Sequence, residues 1–198
     1  MRRRRDTGGE GRRLTLEPGA TIVPNVKLTR QIAEGGMGSV WEGEHLALHT
    51  TVAVKFVLAE LGSNEEAVAR FEREATAAAR IKSPHVVQML DHGLTKGDGV
   101  PYIAMELLEG EDLEFRLDRE PQLPLELVAH IVSQASKALT RAHDRGIVHR
   151  DIKPSNVYLT DVGGDKFVKL LDFGIARLSM TDVGRARVTQ TGAMLGTP

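Results

Sequence analysis

Two acids and an amide lie at short, fixed intervals in the second half of the 198-residue sequence. The letters HRDIKPSN occupy residues 149–156, and DFG occupies residues 172–174. Transfer of a phosphoryl group needs little covalent help from a protein, but it needs metal held in place and a hydroxyl aimed in line. Carboxylate and amide oxygens are ligands that Mg²⁺ accepts. The pattern predicts a site for magnesium, a triphosphate and a hydroxyl nucleophile, in which Asp151 accepts the hydroxyl proton and Asn156 and Asp172 hold the metal.

A glycine-bearing stretch, AEGGMGSV at residues 33–40, lies between two predicted strands. Glycines let backbone amides approach phosphates closely because no Cβ is in the way. Taken alone, the stretch is as typical of a plain hairpin turn as of a nucleotide loop. A dinucleotide-binding fold is disfavoured, since these glycines lead into a strand rather than a helix.

Lys55 ends the strand-like sequence VAVK at residues 52–55. A lysine among Val and Ala must reach either a pocket or the solvent, and taken alone the solvated lysine is the more common case. An acid in the following helix would be its partner. The letters RFERE at residues 70–74 offer Glu72 and Glu74, which lie roughly 200° apart around a helix.

The composition sets limits on the function. The chain has 41% hydrophobic and 27% charged residues, a formal net charge of −1 and no cysteine. It therefore has no overall electrostatic footprint for nucleic acid, no disulfide scaffold and no thiolate chemistry, and it suits a cytoplasmic location. The longest apolar run, residues 52–61, contains Lys55 and Glu60, so no membrane segment is predicted.

The elements that must position these residues follow from periodicity and breakers. Strands are predicted at residues 26–32, 39–46, 51–58, 86–90 and 100–105, with one long helix at 65–81 capped by Ser63 or Asn64. Acidic turns are predicted at residues 109–112. Helices at 113–119 and 125–145 and short strands at 157–159 and 168–171 follow. The fold class is α+β, with two lobes and a boundary near residues 108–111. The predicted division is a basic, disordered tail and lead-in at 1–25, a first lobe at 26–108 and a second lobe at 109–198.

Together these motifs resemble the catalytic domain of the eukaryotic-type Ser/Thr protein kinases, in particular their bacterial branch. The resemblance covers roughly residues 26–198. The glycine loop meets the family pattern G-x-G-x-x-G-x-V at Gly35, Gly38 and Val40 but has Ala33 at the first glycine. The family implies a five-stranded antiparallel N-lobe sheet with one long helix, a C-lobe that is mostly helical and here incomplete, ATP and Mg²⁺ as cofactors, and protein Ser or Thr as substrate.

The resemblance also implies a role for individual residues. Lys55 would contact the α- and β-phosphates and pair with Glu74, which motif alignment favours over Glu72. Lys153 would neutralise the transferring phosphoryl group. The nucleotide would be bound by Ile32, Ala33, Glu34, Gly35, Gly36, Met37, Gly38, Ser39, Val40, Ala53, Lys55, Met105 as gatekeeper, the backbone of Glu106 and Leu108, Asp112 at the ribose, and Tyr158.

Tyr158 departs from the family pattern, in which an aliphatic residue is usual. Its ring would either stack on adenine or crowd it. Arg150 matches kinases whose activation loop is phosphorylated, because a guanidinium grips a phosphate bidentately. Autophosphorylation is predicted at Thr189 or Thr191, while His149 and Phe173 would have structural roles.

Two other functions compete with the Ser/Thr kinase. A nucleotide-binding or scaffolding module without turnover is favoured by the end of the sequence at Gly196-Thr197-Pro198, where kinases continue into an A-P-E segment and several helices. In that case an apolar face of the helix at 125–145 should be exposed. A small-molecule phosphotransferase of the aminoglycoside type shares an HxD-x5-N loop but lacks the full DFG and Lys-Pro signature.

Overall fold

The computed structural model describes residues 16–21, 23, 25–35, 38–57, 65–96 and 98–173. Several predictions fall outside this part of the chain. They concern the basic tail, the helix cap at Ser63 or Asn64, Gly36 and Met37 of the glycine loop, Gly174, Thr189 and Thr191.

A five-stranded antiparallel sheet forms the first half, as the sequence predicts. Its strands are β1 (Val26–Gly35), β2 (Gly38–His45), β3 (Thr50–Val57), β4 (Met89–Leu94) and β5 (Pro101–Glu106), in the order β1-β2-β3-β5-β4. Successive side chains of a strand point to opposite faces. On β3, Val52, Val54 and Phe56 therefore join one buried cluster, while Ala53 and Lys55 share the other face.

The predicted strand at residues 86–90 is wrong in position, because β4 begins at Met89. The valines that suggested a strand are buried, and Val86 forms an isolated parallel bridge with Leu170 instead. Leu170 donates its N–H to His85 O at 2.9 Å and accepts from Val87 N at 3.0 Å. A short apolar run signals burial more reliably than it signals pairing with a particular strand.

The second half combines helices with a small sheet. It contains β6 (Gly110–Asp112), α2 (Leu113–Arg119), α3 (Leu125–His143), a short 3-10 helix (Pro154–Asn156), β7 (Val157–Val162) and β8 (Asp165–Leu170), with sheet order β6-β7-β8. The acidic segment around β6 reads as turns in the sequence but is a strand. Gly110 has φ 143, and a Cβ there would lie 2.1 Å from Leu159 O, so only glycine lets β6 approach β7 this closely.

One core cluster spans both halves. The helix α1 (Glu65–Ala79) buries Phe71, Ala75 and Ala78, and these belong to the same cluster as residues of α3, β7 and β8. The site described below lies between elements joined by this core. On α3, Leu125, Val128 and Val132 are 77%, 39% and 58% exposed. Within the described residues, no helix is both long and apolar enough to cross a membrane.

Candidate active site

An open cleft of about 590 Å³ lies between the two sheets. The structure brings together nine of the residues predicted to bind nucleotide, catalyse or hold metal, along with Val87, Leu107 and Leu171, which the sequence analysis did not select. The nine are Ile32, Val40, Ala53, Lys55, Met105, Glu106, Leu108, Tyr158 and Asp172. The predicted glycine-loop residues 33–35, 38 and 39 do not line the cleft, and they lie at the end of β1 and the beginning of β2.

A buried imidazole supports the loop that contains Asp151. His149 is 1% exposed; its Nε2 lies 2.7 Å from Leu171 O, and its Nδ1 lies 3.3 Å from Asp151 N. These partners require Nε2 to donate and Nδ1 to accept, which is the neutral tautomer. Burial lowers the pKa of His149 below its usual value, in agreement with that assignment. The ring also contacts Phe173, with centroids 4.5 Å apart, so the structural roles expected for both residues have a physical basis.

Asp151 is held by two neighbours on its own loop. Asn156, which is 5% exposed, donates from Nδ2 to Asp151 O at 2.8 Å and to Asp151 Oδ2 at 3.0 Å. Lys153 Nζ lies 3.1 Å from the same Oδ2. Partial burial opposes ionisation of Asp151, but hydrogen bonding and charge from Lys153, with the Asn156 amide, outweigh it and lower the pKa of Asp151. The carboxylate is therefore ionised at neutral pH and is oriented as a proton acceptor must be.

Lys55 reaches the DFG segment from the first sheet. Its Nζ lies 2.5 Å from Asp172 Oδ2, and the two side chains are 16% and 20% exposed. Asp172 has φ 53, an uncommon backbone conformation for a residue other than glycine. Asn156 O accepts from Leu171 N at 3.0 Å, so the residue preceding Asp172 is bonded to the loop that carries Asp151. The ammonium, both acids and the amide thus form one connected group.

The expected ion pair between Lys55 and Glu74 is not among the contacts of the described residues. Glu74 Oε1 instead lies 3.8 Å from Arg150 Nη1, and Lys55 is taken by Asp172. Each of the two carboxylates therefore contacts a different cation, Asp172 the Lys55 ammonium and Glu74 the Arg150 guanidinium. Glu74 is half-buried whereas Glu72 is exposed, so Glu74 is the acid on the inner side of α1.

The other end of the cleft is shaped by Tyr158, and Asp112 lies next to it in the sheet as the pairing partner of Tyr158. Tyr158 donates its hydroxyl to Gly110 O at 2.9 Å, which anchors the ring at the cleft wall. Burial, with the charges of Asp112 and Glu111, raises the pKa of Tyr158, so the hydroxyl stays protonated. Asp112 does not line the cleft. Its Oδ1 caps α2 by accepting from Phe115 N at 2.8 Å.

Asn156 and Asp172 suit magnesium in their donor chemistry. Both offer hard oxygen atoms, and Mg²⁺ is commonly held by one or two carboxylates together with substrate phosphates. Both amide protons on Asn156 Nδ2 can be used by Asp151, which leaves Oδ1 as the free ligand atom. In the described part of the chain, no group of three or more His, Asp or Glu side chains could hold a metal by itself. The oxygen donors of Asn156 and Asp172 fit a metal that is shared with phosphate.

Val87, Leu107 and Leu171 are the cleft residues that the sequence analysis missed. Each neighbours a segment that the analysis did select, but none carries a functional group that would mark it. Leu107 lies between the predicted adenine-binding residues Glu106 and Leu108, and Leu171 precedes DFG. The position next to a motif was the only available signal.

Comparison with known proteins gives consistent matches. The family model described as "Protein kinase domain" matches residues 26–194. The serine/threonine-protein kinase pkn3 of Myxococcus xanthus is 43% identical over 182 residues, covering 91% of this chain and 33% of pkn3. The serine/threonine-protein kinase PknA of Mycobacterium tuberculosis is 40% identical, covering 90% of this chain and 41% of PknA. The chain thus spans between a third and about two fifths of the length of these curated relatives.

Solved structures give the same result for the fold. The PknI kinase domain of Mycobacterium tuberculosis has a TM-score of 0.71 and 35% identity, covering 81% of this chain and 64% of that chain. The apo form of PpkA-294 has a TM-score of 0.73 over 87% of this chain and 66% of that chain at 21% identity, which is evidence for the fold alone.

Proposed function

Because this chain belongs to the protein kinase domain family, we propose that it transfers the γ-phosphate of ATP to Ser or Thr hydroxyls of proteins. The proposal rests above all on one observation. Asp151, Asn156, Asp172 and Lys55 form a connected group at the cleft, joined by the Asn156 amide, the Leu171 N–H and the Lys55–Asp172 ion pair. The family generally uses ATP and Mg²⁺, and the donor atoms described above are compatible with both.

In the proposed reaction, Asp151 receives the proton of the substrate hydroxyl on its carboxylate as the hydroxyl oxygen attacks the γ-phosphorus. The bond from the γ-phosphorus to the bridging oxygen breaks, and ADP is the leaving group. Lys153, 3.1 Å from Asp151 Oδ2, would neutralise charge on the transferring group. Lys55 would be shared between Asp172 and the phosphates. Asn156 and Asp172 would hold Mg²⁺, which neutralises phosphate charge when bound.

The nucleotide base would occupy the cleft beside Met105, with the backbone of Glu106 and Leu108 as its hydrogen-bonding edge. The ring of Tyr158 would lie against adenine, because the hydroxyl bond to Gly110 O gives the ring a defined position at the wall. Aromatic rings stack readily on bases. Asp112 would need to serve the ribose with the oxygen that does not cap α2.

The lobe boundary, the partners and the location are part of the same proposal. A division after residue 108 is supported by β5 ending at Glu106 and β6 joining the second sheet at Gly110. Arg150 is half exposed, with a side-chain exposure of 57%, which supports its use by a phosphate on Thr189 or Thr191 after autophosphorylation. A cytoplasmic location is supported by the cysteine-free sequence.

The test is Asp151→Asn in the full-length protein, assayed for transfer of γ-³²P from ATP to a mixed Ser/Thr peptide substrate with magnesium. Loss of a general base costs about 10²–10⁴-fold in rate, so transfer should fall by about a thousandfold while nucleotide binding is retained. The matched control is Asp161→Asn, since Asp161 is an exposed acid on β7 that pairs with Lys166. Transfer by Asp151→Asn at the rate of the control would refute the proposal.

A further inference from the structure

Glu106 has a second set of contacts that nucleotide binding does not explain. It is the last residue of β5 and precedes the hinge, defined as residues 107–109 between β5 and β6. Its Oε1 lies 2.6 Å from Lys169 Nζ and accepts from Gln88 N at 2.7 Å. Its own N–H donates to Gln88 O at 3.0 Å. The carboxylate and the backbone of one residue are therefore both fixed.

These contacts join three segments that are distant in sequence. Glu106 belongs to the first sheet, Lys169 to β8 of the second sheet, and Gln88 to the segment that leads into β4. That segment is itself bonded to β8, through Val87 N to Leu170 O. The Glu106–Lys169 pair therefore adds a charged contact between the two sheets, next to the backbone hydrogen bonds that join residues 85–87 to β8. Both residues also border a separate cavity near the end of α1.

The Glu106–Lys169 ion pair is less exposed to solvent than an ordinary surface ion pair, and we therefore expect it to contribute more to the position of Glu106. The side chains of Lys169 and Glu106 are 18% and 28% exposed, whereas those of Lys166 and Asp161 on the same hairpin are 36% and 61% exposed. Exposed pairs contribute little because solvent screens them. Removing one member of a partly buried pair leaves the other charge without its partner, which is costly. Loss of Lys169 should therefore leave the Glu106 carboxylate without its counter-charge and held only by the N–H of Gln88.

We propose that Lys169 is a positioning residue for adenine: by holding the Glu106 carboxylate, it fixes the backbone from Glu106 to Leu108 that hydrogen-bonds the base. This inference rests on the proposed function, because it assigns a cause to the order of the same binding edge. Lys169 does not line the nucleotide cleft, and the contact of its ammonium with the binding edge is the ion pair with Glu106. The phosphate end, formed by Lys55 and Asp172, should not depend on it.

The experiment compares two ligands on the full-length protein by calorimetry in one magnesium buffer. ADP reports on the whole nucleotide site, and inorganic tripolyphosphate reports on the phosphate end alone. Lys169→Met should weaken ADP binding by about 3- to 10-fold and leave tripolyphosphate binding unchanged. Lys169→Arg, which keeps the charge, should restore ADP affinity to within about twofold. Lys166→Met is the matched control from the same strand and should alter neither affinity.

Two results would overturn the inference. One is unchanged ADP affinity in Lys169→Met; the other is equal weakening of both ligands, which would indicate general destabilisation. Lys169→Gln provides the same comparison if the methionine variant does not fold. A wild-type protein that binds neither ligand would refute the proposed function, and the inference with it, whereas wild-type binding with no loss in the variant refutes the inference alone.

Discussion

Two parts of the site differ in the range of their contacts. One is the loop at residues 149–156, which carries Asp151, and the other is the side of the site formed by β3 and α1. In the loop, Asp151 contacts Asn156 and Lys153, and His149 contacts the backbone of Leu171. On the other side, Lys55 contacts Asp172 rather than Glu74, and Glu74 contacts Arg150 at 3.8 Å. The contacts of Asp151 are made by residues close to it in the sequence. The contact of Lys55 is made by Asp172, which is distant in the sequence, rather than by Glu74.

The difference reflects the range of the interactions. Asp151, Lys153 and Asn156 are separated by few residues, so the local chain conformation is enough to bring them together. Lys55 and Asp172 are 117 residues apart, and their contact depends on how the two halves pack. The Glu74–Arg150 contact is long and its guanidinium is 57% exposed, so it is weak and readily exchanged. The site therefore combines a loop whose contacts are local in sequence with ion pairs between segments that are distant in sequence.

Among these substitutions, Lys55→Met should cause the largest loss of phosphotransfer. It removes the only group observed to link β3 to Asp172 by an ion pair among the described residues. Loss of one charged stabilising group in an active site costs about 10²–10³-fold in rate, so phosphotransfer should fall by about a hundredfold or more. Steady-state assays of the full-length protein would measure it, with Lys27→Met on the exposed side of β1 as the matched control. Equal rates in the two variants would show that the phosphate end works without Lys55.

Glu74→Gln should have an intermediate effect that separates activity from stability. If Glu74 moves to Lys55 during turnover, phosphotransfer should fall by about tenfold, the size of one lost charge-assisted hydrogen bond. The free energy of unfolding should change by less than about 1 kcal/mol, because the Arg150 contact is weak. Rate assays and denaturant titrations on the same samples would check both. Glu72→Gln, on the exposed face of α1, should change neither, and an equal loss there would reverse the assignment of Glu74.

The smallest expected effect is on the pH dependence of stability, through His149 in the loop that carries Asp151. Burial lowers the pKa of His149 in the folded state, while the unfolded chain titrates near 6.5. Below pH about 6.5 the unfolded state therefore binds more protons, and the stability from His149 is lost as the pH falls toward the folded-state pKa. Thermal unfolding from pH 7.5 to 5.5 should show a shallower decline for His149→Gln than for wild type. Exposed His143→Gln should keep the wild-type slope; a shared slope in all three proteins would contradict the neutral, buried imidazole.

The sequence predicted the parts of the molecule whose signals are local. Period and breakers predict the positions of α1, α2 and α3 and four of the five strands of the first sheet. The spacing of the motifs groups Asp151, Asn156 and Asp172, and the resemblance to the kinase family implies the antiparallel sheet. Tyr158 was recognised as unusual, but only the structure places its hydroxyl on Gly110 O.

The errors all involve contacts between distant segments. The valines at residues 86 and 87 suggested a strand because they are apolar, yet they are buried against β8. The segment around β6 was read as turns because of its acids and glycine, although its partner strand β7 makes it a strand. The sequence could not show which acid contacts Lys55 or that Lys169 contacts Glu106. It shows which residues are charged but not which of them lie close together in the fold.

The bridge between Val86 and Leu170 also bears on how the protein is made. Residues 85–87 are hydrogen-bonded to a strand that the ribosome synthesises more than eighty residues later. At about 5–20 residues per second, the segment leaves the exit tunnel several seconds before its partner exists. For that interval the valines of this segment have no β8 to cover them, and they form an apolar surface that a chaperone could hold. The first sheet therefore reaches its final packing only after translation has passed residue 170.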